Sequence, residues 1–268
     1  MIPHVLSIAG VDPSGGAGLL ADLKTFSALQ AYGMGVVAAL TAQSTLGVAG
    51  VQVVPAEFVA EQIDTLFADV RIDSVKLGML GTADVVAAVA DALRRHRPAH
   101  CVLDPVMVST SGRALLTPDA VAVLRRELLP LVEIVTPNLP EAGVLLGAPE
   151  PRSLAEMRVA ARALWALGPR YVLLKGGHLD GAESVDLFDD GQTQVELAAP
   201  RLATRNVHGT GCALSSAIAA LLPRHAQPLD AVREAKRWLT AAIAGADRLD
   251  VGHGPGPVNP FHALWPTD

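Results

Sequence analysis

The stretch from Asn206 to Ile218, NVHGTGCALSSAI, sets Gly209, Thr210 and Gly211 directly in front of an apolar helical run. A glycine turn that opens into a helix offers free N–H groups at the positive end of the helix dipole, which suits an anion. No acid lies within that turn to oppose the potential. Cys212 falls in the first helical turn, where the same field is expected to lower a thiol pKa below its usual value of about 8.5. A cysteine in this place can be a reactive thiol, half a disulfide, a metal ligand or a small buried hydrophobe. The other cysteine, Cys101, sits in the apolar run HCVLD and reads as a buried strand residue. A structural disulfide is therefore not expected, free thiols suit a reducing cytoplasm, and no Cys/His cluster has zinc-site spacing.

Five further stretches place polar or glycine residues just beyond apolar runs. GVDPSGGAG (10–18) brings backbone close to something or turns sharply. It has neither the Lys-Ser/Thr pair of a Walker A loop nor the glycine order of a dinucleotide fold. LTAQSTLG (40–47) reads as a loop with Gln43 just past a strand, and a carboxamide can pair bidentately with an aminopyrimidine edge. LDPV (103–106) puts Asp104 at a strand end. In TPNLPEA (136–142), Asn138 and Glu141 stand three apart at a helix start. That pair could hold Mg²⁺ and its water, or form a capping box, or do both. LLKGGH (173–178) ends a strand on Lys175, placed to meet a phosphate oxygen. Lysine is scarce, with Lys24, Lys76, Lys175 and Lys236 against 17 arginines, which draws attention to each one.

The elements that must position these residues alternate. Short apolar strands are expected at 5–9, 34–42, 74–79, 101–106, 133–137 and 171–175. Helices are expected at 18–32, 55–69, 82–95, 117–128, 139–146, 153–167, 210–222 and 228–248. Uninterrupted apolar strands between helices imply a parallel sheet covered on both faces, with ligands at the carboxyl ends of the strands. The alternation breaks at 184–199, where two alternating runs flank Asp190-Gly191 and read as an antiparallel hairpin.

The 268 residues, half of them hydrophobic with a net charge of -6, can bury a large core. That charge argues against a nucleic-acid partner. No basic leader precedes the first apolar run and no uncharged span reaches membrane length, so a cytoplasmic protein of one domain, 1–268, is expected.

The ordered set DPSGGAG, ADLKTFSA, TAQSTLG, KLGM, LDPVM, TPNLPEA, LKGGH, HGTGC and EAKRWL resembles the hydroxymethylpyrimidine and phosphomethylpyrimidine kinases of thiamine biosynthesis, from about Ile8 to the C-terminal tail. The resemblance implies a ribokinase-like α/β fold, a three-layer α/β/α with a mostly parallel sheet and a small antiparallel edge hairpin. It implies phosphorylation of 4-amino-5-hydroxymethyl-2-methylpyrimidine by ATP and Mg²⁺, first to the monophosphate and then to the pyrophosphate. By the same resemblance Gln43 reads the pyrimidine, with Asp22, Gly10, Met79 and Val106 completing its pocket. Asn138 and Glu141 organise the metal and its water, with Asp104 a further metal candidate. Lys175 and Thr210 face ATP phosphates, and Lys236 meets the substrate's own phosphate in the second step. Gly209 and Gly211 form an anion hole, and Cys212 is the base. Lys24 matches the pattern without an assigned role. A homodimer is compatible with the apolar second strand and first helix. The neighbouring readings are a pyridoxal or pyridoxine kinase and a nucleotide-binding module without turnover.

Overall fold

The computed structural model describes residues 1–108, 112 and 114–265. Its first strand is β1, His4–Val11, whose sequence HVLSIAGV is buried along nearly its whole length. A strand with both sides apolar needs helices on both faces. It receives them: α1 is Gly18–Ala28, α2 Ala56–Asp69, α3 Ala83–His96, α4 Pro118–Val123, α5 Leu139–Leu146, α6 Leu154–Trp165, α7 Thr210–Leu221 and α8 Pro228–Ala244. The remaining strands are β2 (Tyr32–Ser44), β3 (Gly47–Val53), β4 (Ser74–Leu77), β5 (His100–Leu103), β6 (Ile134–Val135), β7 (Tyr171–Leu174), β8 (Glu183–Asp189) and β9 (Gln194–Pro200).

All nine strands form one sheet in the order β3-β2-β1-β4-β5-β6-β7-β8-β9. The run from β2 to β7 is parallel, and β3, β8 and β9 join it antiparallel at the two edges. Side chains such as Leu6 and Ile8 pack one face against residues of α2, α3, α4, α5 and α6. Val5, Val102 and Leu173 pack the other face against Phe26 of α1 and residues of α7 and α8. The three layers and the mostly parallel sheet with antiparallel edge strands agree with the sequence expectation.

Several boundaries differ from it. The expected strand at 34–42 extends to Ser44 and folds back through Thr45-Leu46 into β3, which the sequence reading missed. Gln43 therefore lies in a strand, where the register shifts between Ala42 and Gln43, and not in a loop. The bulge there turns the Gln43 side chain away from strict alternation. The expected helix at 117–128 is α-helical only to Val123 and widens into a π-turn over Leu124–Leu128. The last helix ends at Ala244, and Gly245 stands at its C-cap. The hairpin at 184–199 is present as β8 and β9 with Asp190-Gly191 in the turn. No described helix is long and apolar enough to cross a membrane.

Candidate active site

In this strand order β1 has one neighbour from before the chain's first reversal, β2, and one from after it, β4. That is a topological switch point, where an open α/β sheet leaves a crevice at the strands' carboxyl ends. Backbone bonds step across those ends one strand at a time. Gly10 N donates to Met79 O at 3.1 Å, Asp104 N to Leu77 O at 2.9 Å, Thr136 N to Leu103 O at 2.8 Å and Lys175 N to Pro137 O at 2.9 Å. Gly10, Met79, Asp104, Asn138 and Lys175 consequently fall along one ridge.

Two cavities open above it. The first, about 520 Å³, is lined by Gly10, Gln43, Met79 and Val106 on one side and by Asp104, Asn138, Glu141 and Lys175 on the other, with Gly209, Thr210, Gly211 and Cys212 as its floor. A Cβ on Gly10 would stand 3.0 Å from Met79 Sδ, so the bare backbone there keeps the cavity open. Gln43 Oε1 lies 3.1 Å from the Thr41 hydroxyl, which also reaches Val11 O at 3.0 Å and holds the amide against β1. The second cavity, about 540 Å³, lies between the end of β9 and α7 and α8, with Leu202, Leu214, Leu239 and Ile243 in its walls. The two meet at Asn138, Lys175, His178, Val207, Thr210 and Gly211, which line both.

The glycine turn has the expected build. Gly209 is the N-cap of α7 with φ +75, and a side chain there would overlap the Gly16 carbonyl. Glycine alone tolerates both conditions. The helix's first bond to its cap runs from Ala213 N to Gly209 O at 2.8 Å. The N–H groups of Gly211 and Cys212 precede it and are free of helical carbonyls, as the first turn of any helix must be.

An acid does approach the turn, from another strand. Asp104 is buried, and its Oδ2 has no hydrogen-bond partner among the described residues, while Oδ1 accepts from Lys175 Nζ at 2.9 Å. A Cβ on Gly211 would lie 3.1 Å from Lys175 Nζ and 3.4 Å from Asp104 Oδ2. Burial opposes the Lys175 ammonium, but Asp104 and Glu141 more than offset it and raise its pKa. Asn138 and Glu141 make the capping box in full: Glu141 N donates to Asn138 Oδ1 and Asn138 N to Glu141 Oε2, both at 2.8 Å. Burial, helped by Asp104 and resisted by Lys175, pushes Glu141 up to about 7. Two buried carboxylates, one with an orphan oxygen, are a hard-oxygen donor set that a divalent cation would relieve. Among the described residues no three His, Cys, Asp or Glu side chains converge as a metal cage. Mg²⁺ does not require one, since it keeps waters and takes phosphate oxygens.

Three sequence expectations need correction. Asp22 does not line the pyrimidine-side cavity. It is fully buried in α1, accepting from Lys76 Nζ at 2.8 and 2.9 Å, Ser7 Oγ at 2.6 Å and Ser216 Oγ at 2.7 Å. Lys236 lines the second cavity, not the first, and is spent on Asp186 Oδ2 at 2.7 Å and Ser184 O at 3.1 Å. The expected lowering of the Cys212 pKa is reversed. Burial pushes the thiol up to about 11, and although Lys76 and the Gly18 N–H favour the thiolate, Asp104 and Asp22 disfavour it. Cys101 is buried and free, as expected.

The sequence reading also missed two residues of the first cavity. Asp12 Oδ2 and His208 Nε2 lie 2.9 Å apart, joining the DPSGGAG loop to the residue before the glycine turn. Asp12 also accepts from Ser14 N, Ser14 Oγ and Ala17 N; burial opposes its charge, but the bonds from His208 and Ser14 outweigh it and hold its pKa below the usual carboxylate value. The only signal in the sequence was their position inside the two glycine loops. Lys24, left without a role, donates to Gly15 O at 2.8 Å and ties down the same loop.

A glycine turn between two cavities, with a lysine, a carboxylate pair and a thiol around it, suits phosphoryl transfer on this α/β scaffold. Solved structures share that scaffold. The chain matches pyridoxal kinase from Staphylococcus aureus in complex with AMP-PCP at TM-score 0.90 and 33% identity, covering 98% of this chain and 95% of that one. It matches phosphomethylpyrimidine kinase from Clostridium difficile at TM-score 0.79 and 39% identity, covering 90% and 99%. The hydroxymethylpyrimidine/phosphomethylpyrimidine kinase of Escherichia coli K12 is 55% identical over 262 residues, 98% of each chain. The family model for phosphomethylpyrimidine kinase matches residues 12–259, and the chain belongs to that family.

Proposed function

We propose that this chain transfers the γ-phosphoryl group of ATP to the hydroxymethyl oxygen of 4-amino-5-hydroxymethyl-2-methylpyrimidine, and then a second phosphoryl group onto the phosphate so formed, supplying thiamine diphosphate biosynthesis. The observation that carries the reading is the Gln43 amide on the wall of a cavity that meets a second, apolar-walled cavity at the Gly209–Cys212 turn. The amide can accept from the 4-amino group and donate to the adjacent ring nitrogen. The Val106 and Met79 walls take the ring and methyl group, and the apolar slot of the second cavity takes the adenine.

Phosphoryl transfer depends chiefly on alignment and charge neutralisation. Gln43 would orient the ring so that its hydroxymethyl group points at the turn. The N–H groups of Gly211 and Cys212 and the Lys175 ammonium would then receive the charge on the transferring group. Glu141, Asp104 and the Asn138 end of α5 would hold Mg²⁺, which screens phosphate charge when bound. In a largely dissociative transition state the hydroxyl proton leaves late. Only the thiolate form of Cys212 can take that proton, a minor form at neutral pH with the thiol pushed up to about 11. As base it would contribute about 10²–10⁴-fold, with no covalent enzyme intermediate.

We also infer one catalytic domain over 1–268, a cytoplasmic location and a homodimer. Exposed Tyr32, Leu40 and Leu46 along β2 and its turn support pairing on that edge. Light scattering after gel filtration tests the dimer. The kinase reading is tested by mass analysis of products from the pyrimidine and MgATP: monophosphate followed by pyrophosphate is expected, and absence of both overturns it. Pyridoxal belongs in a parallel assay because a pyridoxal kinase shares the scaffold so closely; preferred turnover of pyridoxal would reassign the acceptor.

A further inference from the structure

The second phosphorylation sets a problem that the first does not. Its acceptor is already a phosphate ester, so a second anionic group must sit beside the γ-phosphoryl group, at the junction of the two cavities. Resting on the proposed double phosphorylation, the question is which side chain receives that added charge.

The sequence reading gave this role to Lys236, which in the structure is already paired and lines the second cavity only. The Lys236 ammonium is bound to Asp186, and the other oxygen of Asp186, Oδ1, accepts from Gly176 N at 3.0 Å. The pair anchors the backbone just after Lys175 and does not line the first cavity. Arg201 is committed as well. Its guanidinium donates to the carbonyl oxygens of Gly177, Leu179, Gly181 and Glu183 and so gathers the loop between β7 and β8. Lys175 is matched by Asp104, leaving that couple close to neutral. His208 is held by Asp12.

Of the six residues that line both cavities, only Lys175 and His178 can carry positive charge. His178 is exposed at the junction, and no hydrogen bond to either ring nitrogen is found among the described residues. The turn that presents it is fixed. A Cβ on Gly176 would overlap Val185 O of β8, and Leu179 N donates to Gly176 O at 3.0 Å. Although the residue is open to solvent, the desolvation of its ring at the cavity junction, with Lys175 and Arg201, lowers its pKa against the pull of Glu150. Without a phosphate present the neutral imidazole is therefore an N–H donor. An arriving phosphate dianion would favour its protonation.

We propose that His178 binds the phosphate of the pyrimidine monophosphate in the second phosphorylation and so sets the enzyme's capacity for the second step relative to the first. The test measures kcat and KM for both acceptors, the hydroxymethylpyrimidine and its monophosphate, in wild type, His178→Ala and His178→Arg. A charge-assisted hydrogen bond to phosphate corresponds to roughly 10–100-fold. His178→Ala is expected to lower kcat/KM for the monophosphate at least tenfold more than for the unphosphorylated pyrimidine, mostly through KM. His178→Arg should restore most of that ratio, which a merely structural role would not do. An unchanged ratio in a wild type active on both acceptors overturns this inference alone, as does loss through kcat only. A wild type that makes monophosphate but no pyrophosphate also overturns it. A wild type inactive on both acceptors overturns the kinase reading, and the role of His178 falls with it.

Discussion

Replacing Asp22 separates two accounts of one residue. If Asp22 bound the pyrimidine, Asp22→Ala would raise the KM for that acceptor and leave the fold intact. In the structure its carboxylate instead collects four short hydrogen bonds, two of them from a lysine that is wholly inaccessible to solvent. Removing the carboxylate strands the Lys76 ammonium in the core and takes the acceptor from Ser7 and Ser216. Breaking one side of a buried ion pair costs about 3–5 kcal/mol. At roughly 2–4 °C per kcal/mol for a chain near this size, Tm should fall by roughly 6–20 °C. Urea denaturation followed by circular dichroism measures the loss directly. Exchanging both partners, Asp22→Leu with Lys76→Met, removes the stranded charge and should recover most of the lost stability, because apolar replacement of a whole buried pair is often neutral. A single variant within about 1 kcal/mol of wild type, with pyrimidine KM selectively raised, would refute the burial argument.

Four further outcomes are expected. Gln43→Ala should weaken pyrimidine binding by about 10–100-fold in KM, the value of a paired donor and acceptor, with the KM for ATP little changed in the same initial-rate assay. Cys212→Ala should lower kcat by more than it raises KM; full kcat would remove the thiol from proton transfer. With the Cys212 pKa raised to about 11, its thiolate fraction is small at neutral pH and grows as pH rises. Iodoacetamide labelling followed by mass spectrometry should therefore quicken about tenfold per pH unit up to that value, and a plateau near pH 8 would contradict it. Gly209→Ala must hold a positive φ and displace the Gly16 carbonyl, so kcat should fall by at least about 100-fold, as for other losses of oxyanion-type donors.

The parallel core was readable because β1, β5 and β7 are predominantly apolar runs, the pattern expected of two-sided burial. The strand β3 was not, since GVAGVQV is half-exposed, carries two glycines and gains its partner only through the β2 extension. Asn138, Lys175 and the glycine turn were legible because each stands where a strand or helix changes to loop, and Gln43 because it is the polar residue that follows an apolar run, although β2 continues through it. The fates of Asp22 and Lys236 were hidden because their partners come from distant elements: Lys76 is 54 residues from Asp22, and Asp186 is 50 from Lys236. The helix field at Cys212 could be read from its neighbours in sequence, whereas the burial that overrides it belongs to the tertiary fold. The Asp12–His208 contact spans 196 positions, so neither residue was conspicuous alone.

The two edge hairpins stand at opposite ends of the sheet. One of them, β2–β3, carries Gln43 into the first cavity; the other, β8–β9, supplies Ala199 and Pro200 to the second. Six strand-to-strand steps lie between β2 and β8, roughly 29 Å of hydrogen-bonded sheet at about 4.8 Å each. Changes at one rim are too distant to repack the other, so their free-energy effects should add. Such a scaffold can exchange one aromatic alcohol for another by redrawing the β2 rim while the phosphoryl donor stays where it is.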